Sequence, residues 1–257
     1  MPSRKKISGW AKFPESLTEL ITTSNTSALQ KIVTSQNRLI ARGNGMSYGD
    51  LSFSSNKTID TRNLNNIISF DEDSQTIEWE AGVLLSEINT TLHPKDYKLF
   101  VIPGTKFISL GGAIACDVHG KNQSTYGSFC NHLISFKLLV SSGKIINCSQ
   151  NENKEYFINT IGGLGLTGII ISAKLNIRKI SSNTLLTSTT KTNSIPKLIE
   201  LMIESSAEYK AAWIKNPKQI LYTEGNYIKD KNVFRKEKIK SIKYNFLGLA
   251  TNKYVLK

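Results

Sequence analysis

Hydrophobic positions along the chain change period several times, and each change predicts an element. In Asn25–Gln36 (NTSALQKIVTSQ), Leu29, Ile32 and Val33 share one helical face behind Thr26 or Ser27 as the cap. Arg38–Arg42 (RLIAR) is a compact apolar strand that runs into a glycine turn, Gly43 to Asp50, with a further strand at Lys57–Thr61. Ile67–Asp71 and Thr76–Glu80 flank Glu72-Asp73-Ser74-Gln75 as a hairpin. Leu84–Leu92 is an amphipathic helix stopped by Pro94, with His93 as a solvated end residue. Leu99–Ile102 is a short buried strand. Leu133–Val140 and Lys144–Cys148 form a second hairpin, Glu155–Thr160 a helix, and Ile169–Ile177 an alternating strand.

The character of the chain changes near Ile180. A strand over 184–192 (TLLTSTTKT), a helix over Ser194–Ser206 and strands at Tyr209–Ile214 and Ile220–Tyr227 make a second, smaller α/β unit. Its sheet is too small to close on itself, so residues 181–257 read as an incomplete domain following a first domain over 1–180.

Between these elements lie three glycine-rich stretches: Arg42–Asp50 (RGNGMSYGD), Pro103–Gly127 and Gly162–Gly168. The second, PGTKFISLGGAIACDVHGKNQSTYG, sets five glycines around Cys116, His119 and Lys121. Glycine either supplies positive φ or removes a side chain so that a ligand can approach the backbone. Successive N–H groups in such a turn form an anion-binding nest, to which Ser47 adds a hydroxyl. Each stretch also reads as a plain turn, the first as an ordinary hairpin. GNGMSYG departs from the dinucleotide pattern G-x-G-x-x-G, no long helix follows it, and it lacks the GK[ST] of a P-loop.

Charge and cysteine content then narrow the partners. The net charge is +13, but residues 215–257 carry eleven Lys/Arg against three Asp/Glu, so the excess is largely terminal. No recognition motif accompanies it, which argues against nucleic acid; attraction to an anionic headgroup or membrane surface is the alternative. Three cysteines without CxxC or Cys/His spacing indicate neither a disulfide framework nor a metal site. With no apolar run long enough to span a bilayer and no signal-like start, the expected location is cytoplasmic, peripheral to the inner membrane at most.

Taken in order, RGNGMSYGD, PGT…GGAIACDVHGKN followed by Gly127-Ser128-Phe129, and GGLGLTGII resemble the vanillyl-alcohol-oxidase (PCMH-type) FAD-binding family. Within it they are most similar to the branch of decaprenylphosphoryl-β-D-ribose oxidases. The resemblance implies an α+β fold: a two-subdomain PCMH-type FAD-binding domain followed by the start of an α/β substrate (cap) domain. It also implies FAD. Arg42, Gly43, Asn44, Gly45, Met46, Ser47 and Tyr48 would hold the pyrophosphate. Gly104, Thr105, Ser109, Leu110, Gly111, Gly112 and Ala113 would line the ribityl and diphosphate path. Cys116, Asp117, Val118 and His119 would border the isoalloxazine, and Gly168, Ile169 and Ile170 the adenine end. Tyr48, His119 and Lys121 would face the substrate as the catalytic set.

The implied reaction oxidises a secondary alcohol of a sugar or lipid-linked sugar by hydride transfer to flavin, with a short-chain reductase as partner. His119 suits proton relay and Lys121 suits a phosphate anchor; Cys116 reads as a packing group and His132 as bonded to backbone. Many relatives tether FAD through a histidine in the first glycine loop. Met46 stands in that loop here, so FAD is expected to be non-covalent. The branch carries a basic residue at Met46 and histidines where Gln123-Ser124 stand, and it continues beyond the length of this chain, so the sequence reads as C-terminally truncated. Two alternatives stay open: an aldonolactone or soluble sugar oxidase of the same superfamily, and a non-catalytic flavin-binding fragment completed by a separate chain.

Overall fold

A computed structural model describes residues 4–35, 38–182 and 184–228. Most of the basic terminal stretch, 229–257, therefore lies outside the described residues. The chain is mixed α/β, with three sheets arranged in sequence order.

The first sheet holds β1 (Arg4–Ser8), β2 (Glu15–Thr22), β3 (Leu39–Arg42) and β4 (Lys57–Asp60) in the order β1-β2-β4-β3. Helix α1 (Thr26–Thr34) is capped by Asn25, whose Oδ1 accepts from Ala28 N at 3.0 Å, and not by Thr26 or Ser27. Leu29 and Val33 are buried on its inner face, with Ile32 packed beside them. β3 and β4 run parallel, Leu39 opposite Lys57 and Arg42 opposite Asp60. A parallel pair cannot be joined by a tight turn, so Gly43 to Asn56 crosses back over the sheet. The glycine stretch begins that crossover at the end of β3; it is not a hairpin turn.

The second sheet is antiparallel and carries the main core. β5 (Ile67–Asp71), β6 (Thr76–Glu80), β8 (Leu133–Leu139), β9 (Ile145–Ser149) and β10 (Ile169–Lys179) lie in the order β5-β6-β10-β8-β9, and β7 (Tyr97–Leu99) pairs with the far end of β10. Helices α2 (Leu85–Leu92), α3 (Leu110–Ala115), α4 (Gln123–Tyr126) and α5 (Lys154–Thr160) complete the unit. Ile88, Leu92, Leu110, Ile114, Phe136 and Phe157 are buried against Ile77, Leu99 and Leu175, and the Phe136 and Phe157 rings stack at 5.4 Å. β7 leaves the ladder one residue after Lys98, earlier than the expected strand over 99–102, because the Phe100 carbonyl is taken by Asn122 Nδ2 at 2.8 Å. His93 is half-buried and not solvated, and burial lowers its pKa, with Lys98 and Lys106 adding to the effect.

The third sheet, β11 (Leu185–Thr192), β12 (Tyr209–Asn216) and β13 (Gln219–Tyr227), has the order β11-β13-β12 and is antiparallel throughout. α6 (Ile195–Glu204), capped by Ser194, covers one face through Leu198 against Ile220 and Tyr222.

Removing the Phe136 ring is predicted to lower stability by about 3–5 kcal/mol, since a buried aromatic leaves a cavity that the Phe157 stack cannot fill. The midpoint shift of chemical denaturation for Phe136→Ala measures this directly.

Candidate functional site

The two glycine-rich loops meet across one cleft. β3 ends by delivering Gly43 against Ser109, the residue that caps α3 by accepting from Gly112 N at 3.3 Å. A Cβ on Gly43 would stand 1.9 Å from Ser109 Oγ, so close approach of the loops requires glycine there. Asn44 Nδ2 donates to Phe107 O at 3.0 Å and ties the first loop to the second.

The amino-terminal segment crosses outside the first loop. Trp10 N donates to Ser47 O at 2.9 Å, and a Cβ on Gly9 would fall 2.6 Å from that same carbonyl. Arg42 braces the loop from below. Its guanidinium donates to Ser8 O at 2.8 Å and to Ser52 Oγ at 3.1 Å, while Ser47 Oγ bonds Ser52 Oγ at 2.7 Å. Burial lowers the Arg42 pKa, Asp60 opposing that effect. Arg42 is therefore neither solvated nor on the cleft wall.

Two connected cavities fill the cleft. The larger, about 560 Å³, is lined by Gly43 to Tyr48, by Gly104, Thr105, Ser109 and Gly112, and at its far side by Cys116, Val118 and His119. The smaller, about 90 Å³, is lined by Gly111, Cys116, Gly168, Ile169 and Ile170. Gly43, Ser47, Ser109, Gly112 and Cys116 line both, which makes them one groove. The larger volume falls in the range of small-molecule sites, roughly 300–1,000 Å³.

Most of the expected site residues thus meet at one groove, and five stand elsewhere. Leu110 and Ala113 are fully buried in the core. The Asp117 carboxylate turns away and accepts from Cys130 N at 3.1 Å. Arg42 lies beneath its loop. Lys121 is exposed beside the groove, with its carbonyl accepting from Lys210 N at 2.8 Å. His119 and Tyr48 are exposed at the mouth, and the Tyr48 ring meets Trp10 edge-on at 5.9 Å. His132 stacks on Phe100 at 4.0 Å and bonds Tyr126 O at 2.8 Å, which leaves it outside the groove. Trp10, Leu51, Ser52, Ile108 and Leu164 line the cavities without having been singled out. Trp10 and Ser52 reach the groove through the strand pairing of β1 and the crossover, and neither pairing has a local motif.

The groove suits FAD on its own chemistry. Its walls are largely main chain and small residues, which a flat ring and a diphosphate can approach closely. Among the described residues no carboxylate lines either cavity, so an anionic diphosphate meets no like charge. Among those residues there is also no group of His, Cys, Asp and Glu that could hold a metal ion.

Comparison with known proteins agrees with this geometry. The family model described as FAD binding domain matches residues 18–149. Decaprenylphosphoryl-beta-D-ribose oxidase of Mycolicibacterium smegmatis is 32% identical over 219 residues, 81% of this chain and 48% of that protein. L-gulonolactone oxidase of Scyliorhinus torazame is 28% identical over 133 residues, 52% of this chain and 30% of that protein. A putative D-arabinono-1,4-lactone oxidase of Neurospora crassa is 26% identical over 166 residues, 63% of this chain and 30% of that protein. The chain spans about half the length of the first relative and less of the other two.

Gly43→Ala is predicted to weaken FAD binding at least about tenfold, roughly 1.4 kcal/mol, by forcing Ser109 out of its capping position. Titration of apoprotein with FAD, followed by flavin fluorescence, reads the change, and circular dichroism checks that the fold survives.

Proposed function

This chain belongs to the FAD-binding domain family, and we propose that within it the protein oxidises a secondary alcohol of a polyprenyl-phosphate pentose. The observation that carries the reading is the single groove formed where the two glycine loops meet, with His119 and Tyr48 at its open end. Residues 1–180 form a two-subdomain PCMH-type FAD-binding domain in this reading, and 181–257 begin a substrate domain.

FAD supplies the hydride acceptor. The chain's own groups do the rest. Main-chain N–H groups of Gly43 to Ser47, with the Ser47 hydroxyl, would hold the diphosphate. Gly104, Thr105, Ser109, Gly111 and Gly112 would seat the ribityl chain, Cys116 and Val118 would border the ring, and Gly168 to Ile170 would close the adenine end. His119, exposed at the mouth, takes the hydroxyl proton as the carbon–hydrogen bond breaks. Tyr48, stacked edge-on against Trp10, forms the wall on which the sugar rests. Lys121, exposed beside the mouth, anchors the substrate phosphate from outside the groove. Met46 offers no imidazole for a covalent link, so FAD is held without one.

A lipid-linked substrate fits the resemblance and the basic charge of the chain, which draws it toward an anionic surface. No helix among the described residues is long and apolar enough to cross a membrane. The ketone formed by such a step is consumed by a reduction, and a short-chain reductase is the proposed partner. The second reading, oxidation of aldonolactones or free sugars, is favoured by the lactone oxidases among the relatives.

Two measurements test these readings. Acid or heat is expected to release FAD from the purified protein; flavin retained on the denatured chain would overturn non-covalent attachment. Anaerobic bleaching of the flavin band by a polyprenyl-phosphoryl pentose is the expected reaction, and bleaching by free sugars or lactones alone would assign the second reading. His119→Gln is predicted to keep its flavin and slow bleaching about 10²–10⁴-fold, the span of a lost acid–base group.

A further inference from the structure

A buried cluster of charged and phenolic side chains joins the third sheet to the rest of the molecule, and the groove does not use it. Lys98 on β7 is 2% exposed. Its Nζ donates to Tyr209 Oη at 2.7 Å and lies 3.9 Å from the centre of the Tyr227 ring. Arg178, at the end of β10, forms an ion pair with Glu208, donates to Tyr126 Oη at 2.7 Å and reaches Tyr209 Oη at 3.4 Å. The cluster thus holds two cations against one carboxylate, at a seam where β7 and β10 meet the starts of β12 and the end of β13.

The same seam touches the loop that carries His119 and Lys121. Lys210 N donates to Lys121 O at 2.8 Å, and Thr125 Oγ1 donates to Glu208 O at 3.4 Å. Strand β12 is therefore bonded to that loop by main chain within two residues of the charged cluster.

We propose that Lys98, Arg178, Glu208 and Tyr209 form a proton-controlled latch that holds the third sheet, and through Lys210 the His119–Lys121 loop, in place. With Lys98 neutral, Arg178 and Glu208 balance each other and the lysine amine keeps its bond to the Tyr209 hydroxyl. With Lys98 charged, a second buried cation has no carboxylate of its own. Opening the seam then lets the ammonium reach water. Closing releases the proton to solvent.

The groups around Lys98 leave it as the one that switches. Burial, then Arg178, pull its pKa down to about 7, while Glu208 opposes. Burial raises the pKa of Tyr209 and of Tyr227, so both phenols stay protonated. His93, packed nearby on the turn after α2, and His132, near Arg178, are lowered by burial and are neutral above pH 7. Tyr126 and Glu208 complete the charged and phenolic surroundings. In the open seam Lys98 returns to its ordinary value of about 10.4. Between the two values the open state binds one proton more, so the closed state gains up to about tenfold per pH unit as pH rises from 7. Below pH 7 both states hold the proton and the dependence flattens.

Hydrogen exchange of the chain without added flavin tests this independently of the redox reading. Protection of the peptide spanning 207–213, corrected for intrinsic exchange, is expected to rise about fivefold between pH 7 and pH 8 and about fiftyfold between pH 7 and pH 9. Lys98→Met is expected to hold it high at every pH. Protection that ignores pH in the unaltered chain, or a slope that survives Lys98→Met, would overturn the latch. Should that variant fail to fold by circular dichroism, a carbon-13 titration of Lys98 in the unaltered chain decides: a midpoint near 7 supports the latch, and an ordinary lysine midpoint overturns it.

Discussion

A bulge in β10 between Ile170 and Ser172, which shifts its side-chain alternation, is the constraint on which the three layers depend. Successive residues of a strand point to opposite faces. Ile169 and Ile171 pack with Leu29, Ile59 and Leu64 beneath the first sheet, whereas Ile170, Ala173, Leu175 and Ile177 enter the main core. The strand also pairs with β6, β8 and β7, so its eleven residues close one core and abut another. At its end Arg178 carries the connection onward to the third sheet. Without the bulge, Ala173, Leu175 and Ile177 would share the face of Ile169 and Ile171 and leave the main core.

That groove is built from the ends of elements, and its chemistry follows from where those ends fall. Parallel pairing of β3 with β4 forces a crossover at the end of β3, and the same pairing places Gly43 against the cap of α3. The resulting surface is main chain, hydroxyl and small apolar side chain. A diphosphate can be met there by N–H groups, and a flat ring can lie on the glycine wall, without a buried charge to balance. His119 and Tyr48 stand exposed at the mouth.

Much of this was legible because the residues involved are local. The glycine stretches, the β5–β6 and β8–β9 hairpins and α6 all have patterns contained within at most 25 consecutive positions. Other parts were not, and each has a physical reason. β1 (RKKIS) is a polar edge strand, whose only sheet signal is its pairing with β2. Helix α3 (LGGAIA) is too glycine-rich for its composition to announce a helix; Ser109 and burial of Leu110 and Ile114 hold it. The direction of β3 relative to β4 depends on a partner fifteen or more residues away. Leu110 and Ala113 share a motif with groove residues, yet helical geometry sends them to the opposite side. Lys98 carries no motif at all, because its neighbours Arg178 and Tyr209 come from distant segments.

The strap formed by Ser8 to Trp10 has a consequence for the order in which the molecule can be assembled. Ser8 O and Trp10 N hold Arg42 and Ser47 across more than thirty intervening residues. The first glycine loop therefore cannot take its final shape as a local event; it waits for loop closure with Ser8 to Trp10, an entropic cost met before any local reward. Bulk attached to those residues acts on the same step. The loop that looks most self-contained in the sequence is thus the one whose shape depends on a segment more than thirty residues away.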